Sequence, residues 1–149
     1  MGASNGHIET FVELIRRAST ELPADVVEAL EEGRQVEESG KLASIALDTI
    51  LNNVKMARDD SAPICQDTGT PVVWIHHPVG VSTRELKKEF EAAVREATAR
   101  KYLRPNAVNT LTGGNTGDGA GRGIPFVHFE EWDEPNLEVR MILKGGGSE

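Results

Sequence analysis

A stretch bounded by two prolines, residues 63–71, separates a region of helical periodicity from the first strand-like run of the chain. It reads Pro-Ile-Cys-Gln-Asp-Thr-Gly-Thr-Pro, and its prolines fix the backbone φ angle and remove hydrogen-bond donors. The stretch therefore predicts a rigid loop, not the interior of a helix or strand. It also holds the single cysteine of the chain, Cys65, followed by an amide, a carboxylate, a hydroxyl and a glycine. A rigid loop so rich in polar groups is typical of a binding or catalytic site.

Three helices are predicted before this loop. Apolar residues recur with helical spacing at residues 7–18, from Pro23 to a stop at Gly33, and at about 41–58. The third segment carries too broad an apolar stripe for a helix that packs on one side only, so we expect it to lie in the core.

A strand, a helix and two more strands are predicted after the loop. Residues 72–75 form a β-rich run that Pro78 ends, and a capping box at residues 82–85 begins a helix that reaches about Lys101. Strands follow at residues 125–130 and 137–144, and antiparallel pairing between these two is the simplest arrangement.

These elements predict an α+β fold, in which N-terminal helices pack on a small, mainly antiparallel sheet. Residues 1–149 are long enough for one domain that buries its own core. The last residues, 145–149, are glycine-rich and no capping element follows them, so we expect that the chain is a fragment cut from a longer protein.

The charge and the hydropathy of the chain exclude several kinds of partner and location. A net charge of -8 and a pI near 5.0 leave no basic stripe for nucleic acid. No apolar run is long enough to span a membrane and no secretory signal is visible, so we expect a cytoplasmic protein. An anionic substrate would be repelled at long range and would need local arginine, lysine or backbone N–H groups.

Cys65 leaves several possibilities open. A single cysteine cannot form an internal disulfide, so the thiol is a buried structural group, a nucleophile or one ligand of a metal site. A nucleophile would need a base, and the chain offers His7, His76, His77 and His128. His76 and His77 are adjacent near a strand end and point to opposite faces, so at most one of them can serve a given site.

Arg104 and the glycine-rich segments are the other candidates for ligand contact. A helix break and Pro105 fix the backbone at Arg104, which suits bidentate capture of a carboxylate, although a helix-end arginine can also just compensate the helix dipole. Residues 112–123 and 145–147 lack any nucleotide-binding spacing, but successive glycine amides can bind an anion. Residues 112–123 are expected to be mobile or to be ordered by a partner.

Five runs of sequence, in this order, closely resemble the N-terminal or α-subunit region of the iron–sulfur-dependent class I fumarate hydratases and the related L-tartrate dehydratases. The runs are residues 63–69, 103–107, 115–117, 127–130 and 141–149. The resemblance covers nearly the whole chain.

This resemblance implies a [4Fe–4S] cluster held by three cysteine thiolates, with one iron open to substrate. Cys65 matches the first cysteine ligand. Gln66 and Asp67 match residues that line the substrate pocket, and Asp67 is the candidate catalytic acid or base. Arg104 matches a residue that binds a substrate carboxylate. Gly146 and Gly147 match backbone donors to the substrate.

The chain departs from the family pattern because the second and third cysteines are absent. The resemblance therefore implies a domain that interconverts fumarate and L-malate only with its C-terminal remainder or a β subunit, within a homo-oligomer, and that is inactive alone. An L-tartrate dehydratase α-subunit domain and a non-catalytic dicarboxylate-binding or subunit-interface domain are the alternatives.

Overall fold

The computed structural model describes residues 6–65 and 67–145. Its elements are α1 (Ile8–Thr20), α2 (Ala24–Val36), α3 (Leu42–Asp60), β1 (Thr70–Pro78), α4 (Thr83–Ala99), β2 (Phe126–Trp132) and β3 (Glu138–Lys144). The predicted α+β class is confirmed. The N-cap of α4 is also as predicted, since the Ser82 hydroxyl accepts from the Glu85 amide at 3.3 Å.

The sheet is mixed, and the predicted pairing of the last two strands is wrong. The strand order is β2-β1-β3, with β1 parallel to β2 and antiparallel to β3. The β1–α4–β2 succession is a strand–helix–strand unit, whose long connection allows parallel pairing. The central position also suits β1 because Val73 and Ile75 are fully buried.

The core lies between the inner face of the sheet and helices α1 and α4. Phe11 of α1 and Phe90 of α4 meet with ring centroids 5.2 Å apart. The other buried members of this cluster are Val12, Ile15, Val73, Ile75, Leu86, Ala93, Val94, Ala97, Leu103 and Ala120. Alternate residues of β3, Val139, Met141 and Leu143, pack against it.

The predicted stop of the second helix at Gly33 is wrong, since α2 continues to Val36. Gly33 faces α3, where a Cβ at this position would lie 3.9 Å from Leu47 Cδ1. Glycine costs about 1 kcal/mol inside a helix, and the packing of the α2–α3 hairpin offsets that cost here.

The prediction that the third helix lies in the core is also wrong. Only Ser44, Val54 and Ala57 of α3 are buried, whereas Leu42 is 84% exposed and Met56 is 62% exposed. Helix α3 packs mainly on α2, which has no buried residue, so the hairpin lies beside the core. In the part of the chain that the structure describes, no helix is long and apolar enough to cross a bilayer.

The two adjacent histidines lie on opposite faces of β1, as predicted. His77 is buried on the inner face, where its Nδ1 lies 3.0 Å from the Pro78 carbonyl oxygen. His76 lies on the outer face, with its ring nitrogens 3.2 Å from Glu130 and 3.6 Å from Glu138.

Phe90→Ala should lower the free energy of unfolding by about 3–5 kcal/mol, because it opens a cavity at a fully buried position. Leu42→Ala should change it by less than about 0.5 kcal/mol, because Leu42 is exposed. Urea unfolding followed by circular dichroism measures both values. A loss at Leu42 as large as that at Phe90 would mean that α3 is part of the core.

Candidate active site

The cysteine loop is attached to two helices before it reaches the sheet. The Ile64 amide donates to the Ser19 carbonyl at 3.0 Å, at the end of α1. The Ile64 carbonyl accepts from Asn53 Nδ2 of α3, also at 3.0 Å. These two bonds fix the backbone directly before Cys65.

Cys65 itself is exposed, so the possibility that its thiol fills a core position is wrong. The Asp67 amide donates to the Cys65 sulfur over 3.4 Å, and the Thr68 hydroxyl donates to the Cys65 carbonyl over 2.5 Å. These two hydrogen bonds lie within the loop, and the thiol remains on the surface. Gln66 lies outside the described residues.

Gly69 joins the loop to the end of β3. It is buried, and a Cβ at this position would overlap the backbone carbonyl of Lys144. Thr70, the next residue, is paired with Lys144 in the sheet. Only a glycine allows this approach. The end of β3 thus lies beside the cysteine loop. Gly146 and Gly147 lie outside the described residues.

An open pocket of about 310 Å³ lies at this end of the sheet. Its lining residues are Asp67, Gly69, Thr70, Pro105, Asn106, Val108 and Asn115. Among the candidates, Asp67 is half-buried and lines this pocket. Cys65 and Arg104 are not among its lining residues, so the structure places them beside the pocket and not in its wall.

Arg104 begins the turn that forms the opposite wall of the pocket. Its carbonyl accepts from the Asn106 amide at 2.8 Å, which closes the turn around Pro105. The Arg104 side chain is exposed, and it forms no ion pair with any residue in the described ranges. The two interpretations of Arg104, capture of a carboxylate and compensation of the helix dipole, both stay predictions.

Two asparagines that received no role from the sequence connect these segments. Asn106 Nδ2 donates to the Thr68 carbonyl at 2.7 Å, and Asn115 Nδ2 donates to the Pro105 carbonyl at 2.6 Å. The cysteine loop, the Arg104 turn and the glycine-rich segment are therefore joined by side-chain amides. Asparagine beside proline and glycine, a composition typical of side-chain-stabilised turns, was the signal that could have identified them.

The glycine-rich segment carries its own hydrogen bonds. Asp118 accepts from the Ala120 amide at 3.0 Å and from Arg95 Nε of α4 at 3.1 Å. The Ala120 amide, then the Thr116 side chain and Arg95, hold the pKa of Asp118 below its usual value. Ala120 is itself buried. This end of the segment is thus fixed to the body of the domain.

Comparison with known proteins identifies the family of this chain. The family model described as fumarate hydratase (Fumerase) matches residues 8–149. The chain belongs to the fumarate hydratase family. A Geobacillus stearothermophilus protein whose name assigns it to fumarate hydratase class I is 45% identical over 141 residues, which are 95% of this chain and 27% of that protein.

Two further relatives are named as tartrate dehydratase subunits. A Methanocaldococcus jannaschii protein, assigned by name to the L(+)-tartrate dehydratase alpha subunits, is 36% identical over 95% of this chain and 51% of its own length. The L(+)-tartrate dehydratase subunit alpha of Escherichia coli K12 is 32% identical over 97% of this chain and 48% of its own length. This member of the fumarate hydratase family thus spans between about a quarter and a half of these relatives.

Asn106→Ala should release the Arg104 turn from the cysteine loop, because it removes the bond to the Thr68 carbonyl. We expect faster amide hydrogen exchange in residues 67–69 and a loss of about 1 kcal/mol in stability. Asn52→Ala is the matched control, since Asn52 is exposed on α3 and away from the pocket. Unchanged exchange in residues 67–69 would show that the amide does not hold the two segments together.

Proposed function

We propose that this chain is the N-terminal domain of a class I fumarate hydratase, which interconverts fumarate and L-malate. It contributes one cluster cysteine and part of a dicarboxylate pocket, and it is inactive alone. The observation that carries the proposal is the pocket of about 310 Å³ between Asp67 and the Arg104 turn, in a chain that belongs to this family. The exposed Cys65 thiol lies two residues from Asp67.

A [4Fe–4S] cluster fits this chain only in part. Cys65 is an exposed free cysteine in a loop with a fixed backbone, which suits a thiolate ligand. Within residues 6–65 and 67–145, no group of three histidine, cysteine or acidic side chains is arranged to hold a metal. Cys65 would hold one iron, and two further cysteines are needed from outside this chain. When bound, the cluster supplies a Lewis acid for the substrate hydroxyl and carboxylate.

Asp67 is the proposed acid and base at the substrate oxygen. In malate dehydration, protonated Asp67 donates its proton to the departing hydroxyl, which leaves as water. In fumarate hydration, the Asp67 carboxylate takes a proton from the arriving water. The proton on the neighbouring carbon requires a second base, which the remaining part of the enzyme supplies. The half-buried position of Asp67 in the pocket wall supports this role.

Arg104 is the proposed partner of one substrate carboxylate. Its planar guanidinium can donate two parallel hydrogen bonds to a carboxylate. Because the chain carries a net charge of -8, a dianion is repelled at long range and local donors have to compensate. Gln66 and the backbone amides of Gly146 and Gly147 are proposed as further donors.

L-tartrate dehydration is the second candidate. It is favoured by the two relatives named as L(+)-tartrate dehydratase alpha subunits, each of which this chain covers over about half its length. Fumarate, malate and tartrate all present two carboxylates, so Arg104 and Asp67 suit each of them. A non-catalytic dicarboxylate-binding or subunit-interface domain would explain the pocket but gives no role to the exposed thiol.

The deciding experiment is anaerobic reconstitution with iron and sulfide, first of this chain alone and then of the chain with the unmatched part of the Geobacillus stearothermophilus relative. Cluster absorbance, fumarate hydration and tartrate dehydration are followed together. Cluster and fumarate hydration that arise only with both parts would support the proposal. Tartrate turnover without fumarate turnover would favour the second candidate, and activity of the chain without iron would contradict both.

Cys65→Ser in the assembled enzyme should remove both cluster absorbance and activity, because a serine hydroxyl is a poor replacement for a thiolate on iron. Cluster content is measured from iron and sulfide per protein. Ser61→Ala, in the same segment but before the fixed loop, serves as the control. Full cluster content and activity in Cys65→Ser would rule out Cys65 as a ligand and favour the non-catalytic alternative.

Arg104→Lys should raise KM for the dicarboxylate and lower kcat/KM by about tenfold or more, because lysine cannot donate two parallel bonds. Cluster absorbance should not change, since Arg104 is not proposed as a ligand. Arg84→Lys is the matched control, on the exposed surface of α4. Equal kinetics for the two variants would remove Arg104 from the pocket.

A further inference from the structure

The outer face of the sheet carries a row of exposed apolar side chains. Phe126 of β2 and Ile142 of β3 are each 52% exposed, and both pair with Val72 of β1. Trp74 is the next outward residue of β1 and is 39% exposed. Helices α1 and α4 pack on the inner face, so nothing in the described ranges covers this row.

The row continues beyond the sheet into the residues just before the glycine-rich segment. Phe126 also lines an open groove of about 610 Å³, together with Val108 and Leu111. Val108 is 48% exposed and Leu111 is 90% exposed. We call the combined set the outer apolar surface; its members are Val72, Trp74, Val108, Leu111, Phe126 and Ile142. Contiguous exposed apolar groups of this kind mark an interaction site.

This surface borders the candidate active site. Val108 lines both the groove and the pocket that contains Asp67. A body that packs on the outer apolar surface around Val108 therefore adjoins the pocket.

The charges around the surface describe its partner. Arg122 lines the groove, and Arg140 faces outward beside Trp74 with 71% of its side chain exposed, although it pairs with Glu138. The carboxylates on this face, Glu130 and Glu138, lie at its other end beside His76. Carboxylates on another body would match the exposed guanidinium groups of Arg122 and Arg140.

The relatives are longer than the region that this chain matches. The matched region is 27% of the Geobacillus stearothermophilus relative and about half of each tartrate dehydratase subunit. We propose that this remaining part packs on the outer apolar surface and thereby closes the Asp67 pocket. It presents apolar side chains to Phe126 and Leu111 and carboxylates to Arg122 and Arg140. The inference rests on the proposed function, because it assumes that the chain works within a larger hydratase.

Helices α2 and α3 are the competing surface. Val36 and Leu42 are each 84% exposed, and Ile45 is 52% exposed. No residue of this hairpin lines the Asp67 pocket or the groove. A partner on the hairpin would leave the pocket open, so the two surfaces make different predictions.

Hydroxyl-radical footprinting read by mass spectrometry tests the assignment residue by residue. The chain is footprinted alone and co-expressed with the unmatched part of the Geobacillus stearothermophilus relative. We expect at least fivefold protection of Trp74, Leu111 and Phe126 in the complex, and no protection of Leu42. If the two polypeptides do not co-purify, a single-chain fusion of them gives the same reading.

Leu111→Ser and Ile142→Ser should weaken co-purification at least tenfold, and neither side chain belongs to the core cluster, so folding is unaffected. Val36→Ser and Leu42→Ser are the matched controls and should have no effect. Loss of association in the controls alone, or protection of Leu42 with Leu111 and Phe126 left reactive, would overturn the proposal.

Activity separates this inference from the proposed function. Fumarate hydration by a complex whose outer apolar surface stays reactive would overturn the docking surface alone. Protection of that surface in a cluster-loaded complex that turns over neither fumarate nor tartrate would support the surface and overturn the proposed function.

Discussion

The close contact of Gly69 with the Lys144 backbone is the constraint on which the site depends. A Cβ at this position would overlap the Lys144 carbonyl, and because Gly69 has none, the cysteine loop can lie directly on the end of β3. That contact brings the loop, the last described residues of the chain and the Arg104 turn to one end of the sheet. The side-chain amides of Asn106 and Asn115 then fix the spacing between these segments.

The helices and strands could be predicted from the sequence, but the order of the strands could not. Periodicity and the Ser82 cap located α4 and its start. The pairing of β2 with β3 was predicted from their nearness in sequence. It is wrong because β1, which carries the most buried residues, lies between them. The strand–helix–strand succession around α4 was the stronger signal for parallel pairing.

Burial was predicted less well because an apolar pattern does not show which of its side chains the rest of the chain covers. The broad stripe of α3 indicated a core helix, yet Leu42 and Met56 are exposed in this chain. The outward residues Phe126 of β2 and Ile142 of β3 are likewise apolar and exposed. Phe126 and Ile142 are placed like surface residues but have the chemistry of an interface.

In the candidate site, sequence motifs indicated some residues and missed others. Cys65, Asp67 and Arg104 are candidates because they match motifs of the family, and Asp67 lies in the wall of the pocket. Asn106 and Asn115 could not be found from motif chemistry, because their side chains act on backbone carbonyls that only the fold brings within reach. In the proposed enzyme, the exposed Cys65 thiol and the Arg104 guanidinium, both beside the opening of the pocket, find their partners on another body. Since the opening adjoins the outer apolar surface through Val108, the body that covers that surface is also the one positioned to complete the site.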